Sequence, residues 1–192
     1  MKRIIIVHGW GGTPEVDWYK WAQKAFQERG YDSKLPAMPN TMHPTIDEWI
    51  SKLKEVVGEP NKETYLIGHS IGCQTIMRYL EGLEEGKQVG GIILVSGWFG
   101  LTDETWDEEY TQEIADPWMN TPLDTEEIKK HVGRVTFIYS NDDPYIPKED
   151  PGMFKERLGA KIIEFEGKGH LSGEEGITEF PELLDEFEQI SK

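Results

Sequence analysis

The stretch TYLIGHSIGCQTI, residues 64–76, contains the pentapeptide Gly68-His69-Ser70-Ile71-Gly72. Its G-x-S-x-G spacing is that of a sharp turn that lifts a serine between a strand and a helix. A pattern this short also arises by chance, so its weight rests on what flanks it. Upstream, Thr-Tyr-Leu-Ile at 64–67 is apolar or β-branched without polar alternation, which predicts a strand covered on both faces. Downstream, Ile71, Thr75, Ile76, Tyr79, Leu80 and Leu83 recur every three to four positions, which predicts a helix with one apolar face lasting until around Gly86. Glycine at 68 and 72 suits a turn in which the two backbones approach closely. Ser70 is the candidate nucleophile. His69 cannot serve as its base from the adjacent position, because neighbouring side chains at a strand end point to different sides. It is expected to pack or to hydrogen-bond.

Composition limits what such a serine can serve. A chain of 192 residues is expected to form one domain, 1–192, with a core large enough to need no staples. The single cysteine, Cys73, cannot form an internal disulfide. It falls in the first turn of the predicted helix, where a dipole could activate a thiol, but a small buried residue behind a tight turn is the expectation. No charged stretch followed by a long apolar run marks a signal peptide at Met1-Lys2-Arg3, and the apolar run at 4–7 is far short of the ~20 residues of a membrane span. A soluble cytoplasmic protein is expected. The excess of 36 acidic over 20 basic residues, net −16, repels phosphate backbones and anionic lipid heads. Neither nucleic acid nor a membrane is an expected partner.

Short apolar runs alternate with amphipathic stretches along the chain. Strands are predicted at 3–7, 31–35, 64–67, 91–96, 134–139 and 161–165, and helices at 16–29, 45–57, 71–83, 125–131, 149–158 and 180–190. This alternation gives an α/β protein, a mostly parallel sheet with helices on both faces. The interval 97–123, with two prolines among aromatic and acidic residues, reads as a long irregular segment of the kind that often borders a site.

In an open parallel sheet, ligands bind beyond the carboxyl ends of the strands. Strand one ends in His8-Gly9-Trp10-Gly11-Gly12, where the Trp10 amide, with that of Ile71, is placed to form an oxyanion hole. His8 is expected to order this loop. Neither phosphate-binding glycine pattern follows the strand, so no nucleotide cofactor is implied. Strand five leads into YSNDDPYIP at 139–147, where Asp142 and Asp143 compete to orient a histidine. Strand six leads into EGKGHLSG at 166–173, whose His170 is the candidate base. The order Ser70, then Asp142 or Asp143, then His170 is that of α/β-hydrolases.

On these residues the chain resembles the α/β-hydrolase superfamily, and within it the small, capless serine hydrolases related to retinoblastoma-binding protein 9 and the bacterial YdeN-type proteins. IIIVHGWGG, LPAMPN followed by PTIDEWISKL, LIGHSIGC, LVSGW, SNDDPYIP and GKGHLS occur in that group's order and cover essentially the whole chain. The resemblance implies a three-layer α/β/α sandwich with a six-stranded sheet in the order 2-1-3-4-5-6 and no large cap. Its D-P-x-x-P pattern implies Asp143, immediately before Pro144, as the triad acid. The L-x-C-x-E motif associated with retinoblastoma-protein binding is absent, since Cys73 lies in Gly72-Cys73-Gln74.

The implied reaction is acyl transfer from a small-molecule ester through Ser70, His170 and Asp143, with no metal and no cofactor. Trp98 and Phe99 are the expected substrate-binding residues, with Trp106 and Trp118 adding aromatic surface to the same segment. The acids Asp103, Glu104, Asp107, Glu108 and Glu109 would disfavour polyanionic ligands at its rim, so neutral short or medium acyl esters are expected. Amidase, aminopeptidase-like or thioesterase activity on the same triad remains an alternative, as does a binding protein that kept the fold and lost turnover.

Overall fold

In the computed structural model, which describes residues 1–106 and 111–192, strand β1 (Arg3–Val7) sends Ile4 and Ile6 into one core and Ile5 and Val7 into another. A strand with no polar face needs cover on both sides, and the chain supplies it by returning after each strand through a helix. Helix α1 (Tyr19–Glu28) leads to β2 (Asp32–Lys34), α2 (Ile46–Val57) to β3 (Thr64–His69), and α3 (Ile71–Glu81) to β4 (Gly91–Val95). Next come a 3-10 helix (Asp103–Trp106), α4 (Thr111–Asn120), α5 (Thr125–Lys130) and β5 (Val135–Ser140). Helix α6 (Asp150–Leu158), β6 (Lys161–Phe165) and α7 (Pro181–Ile190) close the chain.

All strand pairings are parallel, in the order β2-β1-β3-β4-β5-β6. Helices α1 and α7 cover one face through Trp18, Phe26, Leu183 and Phe187. On the other face Trp49 and Leu53 of α2, Ile76 and Leu80 of α3, Ile128 of α5 and Phe154 of α6 pack together. Each such fully buried side chain contributes about 1.5–3 kcal/mol relative to exposure. Register places Val7 opposite Gly68 and His69 opposite Val95, so the loops after β1, β3 and β4 leave the sheet side by side.

Two expectations need correction. Residues 97–123 are not irregular throughout, because α4 forms in them despite Pro117. The proline reads as a helix breaker, yet Ala115 and Trp118, three apart, are buried, and the Trp118 indole donates to the Pro44 carbonyl at 3.0 Å. Tertiary anchoring outweighs the missing amide. The first helix also starts at Tyr19 and not at 16, since Asp17 has φ 54°, outside the helical region. Of the acids expected at the rim, Asp107, Glu108 and Glu109 lie outside the described residues, as does the side chain of Trp106. Among the described residues, no helix is long and apolar enough to cross a membrane.

Candidate active site

Ser70 sits between β3 and α3 with φ 52° and ψ −122°, a backbone state that costs a residue with a side chain about 1–3 kcal/mol. Close packing holds it there. A Cβ on Gly68 would lie 2.8 Å from the Cys73 nitrogen, and one on Gly72 would collide with the Val7 carbonyl oxygen. The Ser70 amide donates to the Val95 carbonyl (2.9 Å) and its own carbonyl accepts from Cys73 N–H (2.9 Å). Although Ser70 stands at the N-cap of α3, its hydroxyl makes no capping bond. That oxygen is left for other chemistry. Cys73 is fully buried, and burial pushes its thiol far above the ordinary range, which makes it packing.

His170 lies in the loop after β6. Its Nδ1 contacts both carboxylate oxygens of Asp143, at 3.1 and 2.9 Å, and the Asp143 side chain is only 1% exposed. Tyr145 stands edge-on to the imidazole, with ring centroids 5.0 Å apart at 88°. The competing acid has a separate task. Asp142 Oδ1 accepts from the Ser140 hydroxyl (2.6 Å) and from the amides of Lys168 (3.0 Å) and Gly169 (2.9 Å). These bonds, the serine's foremost, hold its carboxyl below the usual range. One carboxylate faces the imidazole and its neighbour holds the loop that carries it.

After β1, His8 accepts the Met38 amide at Nε2 (3.1 Å), so its proton is on Nδ1, within 2.9 Å of the Gly9 carbonyl. Burial lowers its pKa, the direction that favours the neutral ring which accepting at Nε2 requires. The Gly12 amide donates to the same Gly9 carbonyl (3.2 Å), so the loop closes on itself. Among the described residues, the amides of Trp10 and Ile71 donate to no protein acceptor. Both remain available to a bound oxygen, and that of Ile71 begins a helix, where the dipole favours negative charge.

Ser70, His170, Trp10 and Trp98 open onto one cavity of about 680 Å³. Phe99 does not reach it. Its ring packs on Phe154 (4.5 Å) under the Arg157 guanidinium (4.3 Å), because Asp150 Oδ2 accepts the Phe99 amide (2.7 Å) and turns the chain away. Phe99 lines a separate cavity with Met153 and Arg157. Trp118 is buried against Trp49. The cavity beside Ser70 instead takes Val16, Asp17, Tyr19, Tyr145, Ser172 and Glu174, of which Tyr145 and Ser172 fall within the quoted motifs and the other four do not. Asp17 and Tyr19 could have been found only by knowing that α1 starts beneath the His170 loop. Of the expected acidic rim, Glu104 lines the cavity, joined by Asp17 and Glu174, and among the described residues no lysine or arginine does.

A family model described as serine hydrolase matches residues 4–189. The chain belongs to the serine hydrolase family. This serine hydrolase is 29% identical over 184 residues to the YdeN protein of Bacillus subtilis (strain 168), covering 96% of this chain and 93% of that one. The YdeN crystal structure superposes with a TM-score of 0.89 over 99% of this chain and 98% of the other. Serine hydrolase RBBP9 of Rattus norvegicus is 30% identical over 185 residues, covering 95% and 91%. Est1E of Butyrivibrio proteoclasticus, solved with ferulic acid bound, is 19% identical with a TM-score of 0.74 over 100% and 90%, a likeness of fold. With the strand order 2-1-3-4-5-6, the fold is that of α/β-hydrolases without a cap domain.

Proposed function

We propose that this serine hydrolase cleaves small, neutral carboxylic esters by two-step acyl transfer at Ser70. The observation that carries the reading is His170, bonded to the buried Asp143, lining the same cavity as a serine whose hydroxyl makes no capping bond. Ser70 Oγ attacks the acyl carbon while His170 Nε2 takes its proton. Asp143, bonded to Nδ1, keeps the opposite nitrogen bare for that transfer and stabilises the imidazolium. The amides of Trp10 and Ile71 receive the oxyanion, each such donor contributing about 3–4 kcal/mol in the transition state. His170 returns the proton to the leaving alcohol, then activates a water that releases the acid and restores Ser70.

The cavity chemistry narrows the substrate. Trp98, Val16 and Leu101 offer apolar surface to an acyl group, whereas Asp17, Glu104 and Glu174 repel anions. Esters of neutral acids are therefore favoured over acyl-CoA compounds. The same three carboxylates support a second reading, an acyl group bearing an amine, with aminopeptidase-like cleavage of its amide. A fluorophosphonate probe should label Ser70, and a panel of 4-nitrophenyl acyl esters, aminoacyl amides and acyl-CoA compounds should show the highest kcat/KM for the esters. No labelling, or acyl-CoA as the best substrate, would refute the reading.

A further inference from the structure

His69, beside the nucleophile, is 2% exposed and bonded at both ring nitrogens. Its Nε2 lies 2.8 Å from the His170 carbonyl oxygen and its Nδ1 2.6 Å from the Tyr19 hydroxyl. A carbonyl only accepts, so Nε2 carries a proton. Burial, and then the nearby His170, lower the His69 pKa to about 4, so the ring is neutral and Nδ1 is bare. Tyr19 must therefore donate to Nδ1, and its oxygen accepts the Gly9 amide at 3.1 Å. Every proton in the chain has one direction: Gly9 N–H to Tyr19, Tyr19 O–H to His69, and His69 N–H to the backbone of His170.

This chain links the loop after β1 to the loop after β6 by passing under the elbow. The His170 loop needs outside support, because Gly167, Gly169 and Leu171 have φ of 64°, 51° and 53°, and Leu171 is not a glycine. Tyr19 follows two consecutive residues that grip it directly, and reaches it through His69. The Gly173 amide donates to Asp17 Oδ1 (2.6 Å) and the Trp18 indole donates to the Leu171 carbonyl (3.0 Å). The bond from His69 falls on the carbonyl of His170 itself.

We propose that Tyr19 and His69 are a positioning pair that holds the His170 loop in register with the Gly9 and Trp10 loop on either side of Ser70. The proposal rests on Ser70 and His170 acting as nucleophile and base. Neither member touches a reacting atom in this scheme. Their effect is on the distance between base, nucleophile and oxyanion donors, where a displacement of one ångström lowers rates by about a hundredfold.

The test uses 4-nitrophenyl acetate turnover and the rate of fluorophosphonate labelling. Tyr19→Phe deletes one oxygen and keeps the ring. It should lower kcat about 10- to 100-fold, slow labelling in parallel, leave KM within about threefold, and still label completely given time, which shows a folded site. His69→Gln, whose amide can both accept and donate, should retain more kcat than His69→Leu. The Tyr19→Phe/His69→Leu double variant should fall no further than the worse single one, because both break one chain. A Tyr19→Phe enzyme with kcat within twofold of wild type overturns the pair, as does a loss carried wholly by KM, or equal losses in the glutamine and leucine variants. Should His69→Leu fail to fold, Tyr19→Phe alone decides. Unlabelled wild type with hydrolysis unaffected by Ser70→Ala would overturn the acyl-transfer mechanism and this pair together, whereas normal labelling with a normal Tyr19→Phe overturns the pair alone.

Discussion

The elbow at Ser70 and the loop carrying His170 hold their side chains by opposite means. At the elbow the restraint is backbone against backbone: Gly68 lets β3 meet α3, and Gly72 lets α3 meet the end of β1, at distances that no Cβ would permit. In the His170 loop the restraint is side chain to backbone, with Asp142, Asp17 and Trp18 bonded to the main chain of Lys168, Gly169, Gly173 and Leu171. Contact of the first kind either fits or fails. The second kind is a sum of bonds, each worth about 1 kcal/mol or somewhat more where a charge takes part. Substitutions at the elbow should therefore act as switches and those around the loop by degrees.

The largest effects test the first half of that contrast. Ser70→Ala should lower turnover by about 10⁴-fold or more and abolish probe labelling, with little change in the unfolding midpoint. Gly72→Ala should do the reverse in kind. Its new Cβ meets the Val7 and His8 carbonyls, so urea unfolding should report a loss of about 3 kcal/mol or more, or no folded protein. A stable, active Gly72→Ala enzyme would show that the elbow can yield.

The adjacent acids test the second half. Asp143→Asn leaves the imidazole with a partner that favours the wrong tautomer, and should lower kcat about 10⁴-fold. Asp142→Asn leaves that pair intact and weakens only the grip on the Lys168 and Gly169 amides. Its loss should be about 10- to 100-fold, the scale of a shifted base. Steady-state kinetics on one ester ranks the two, and the reverse order would move the orienting role to Asp142.

What could be read in advance divides along the same line. Glycine spacing around Ser70 reports a local backbone contact, so strand, turn and helix were all legible in residues 64–76. Asp142 and Asp143 were not separable from their own turn, because the difference between them is made by amides 26 and 27 positions later. The resemblance, through the residue before Pro144, named the one that faces the imidazole. Helix α4 stayed hidden behind Pro117, since its stability comes from Trp118 reaching Pro44, 74 positions earlier. Tyr19 and Asp17 carried no signal at all, because their part in the site depends on where α1 begins.

A smaller effect comes from pH. His69 has a folded pKa of about 4 against an ordinary 6.5, so the folded state binds fewer protons between those values. The stability it contributes is complete above about pH 6.5 and is lost as pH falls toward 4, on the order of 3 kcal/mol over the full window. Asp150 slopes the other way. Burial raises its carboxyl from 3.8 to about 6, so its contribution is present at low pH and lost as pH rises through 6. The difference in urea stability between wild type and His69→Gln, measured from pH 4 to 7, cancels Asp150 and should grow with pH. A flat difference would mean that His69 is not held neutral by its surroundings.

The smallest effect separates Trp98 from Phe99, which leave the same strand toward different cavities. Trp98 is 1% exposed, anchored by the Gln74 amide on its carbonyl (2.7 Å), and borders the space beside Ser70. Trp98→Phe keeps an aromatic surface but removes volume from that space, so kcat/KM should rise by several-fold for longer acyl esters relative to acetate, a change of about 1 kcal/mol. Phe99→Ala removes a partly buried ring from the Phe154 and Arg157 contact. It should cost about 1–2 kcal/mol of stability and leave the acyl-length profile unchanged. A kinetic series from acetate to octanoate in the three enzymes checks both. If Phe99→Ala reshapes the profile as strongly as Trp98→Phe, then the two cavities communicate, and substrate length is set by the whole segment and not by Trp98 alone.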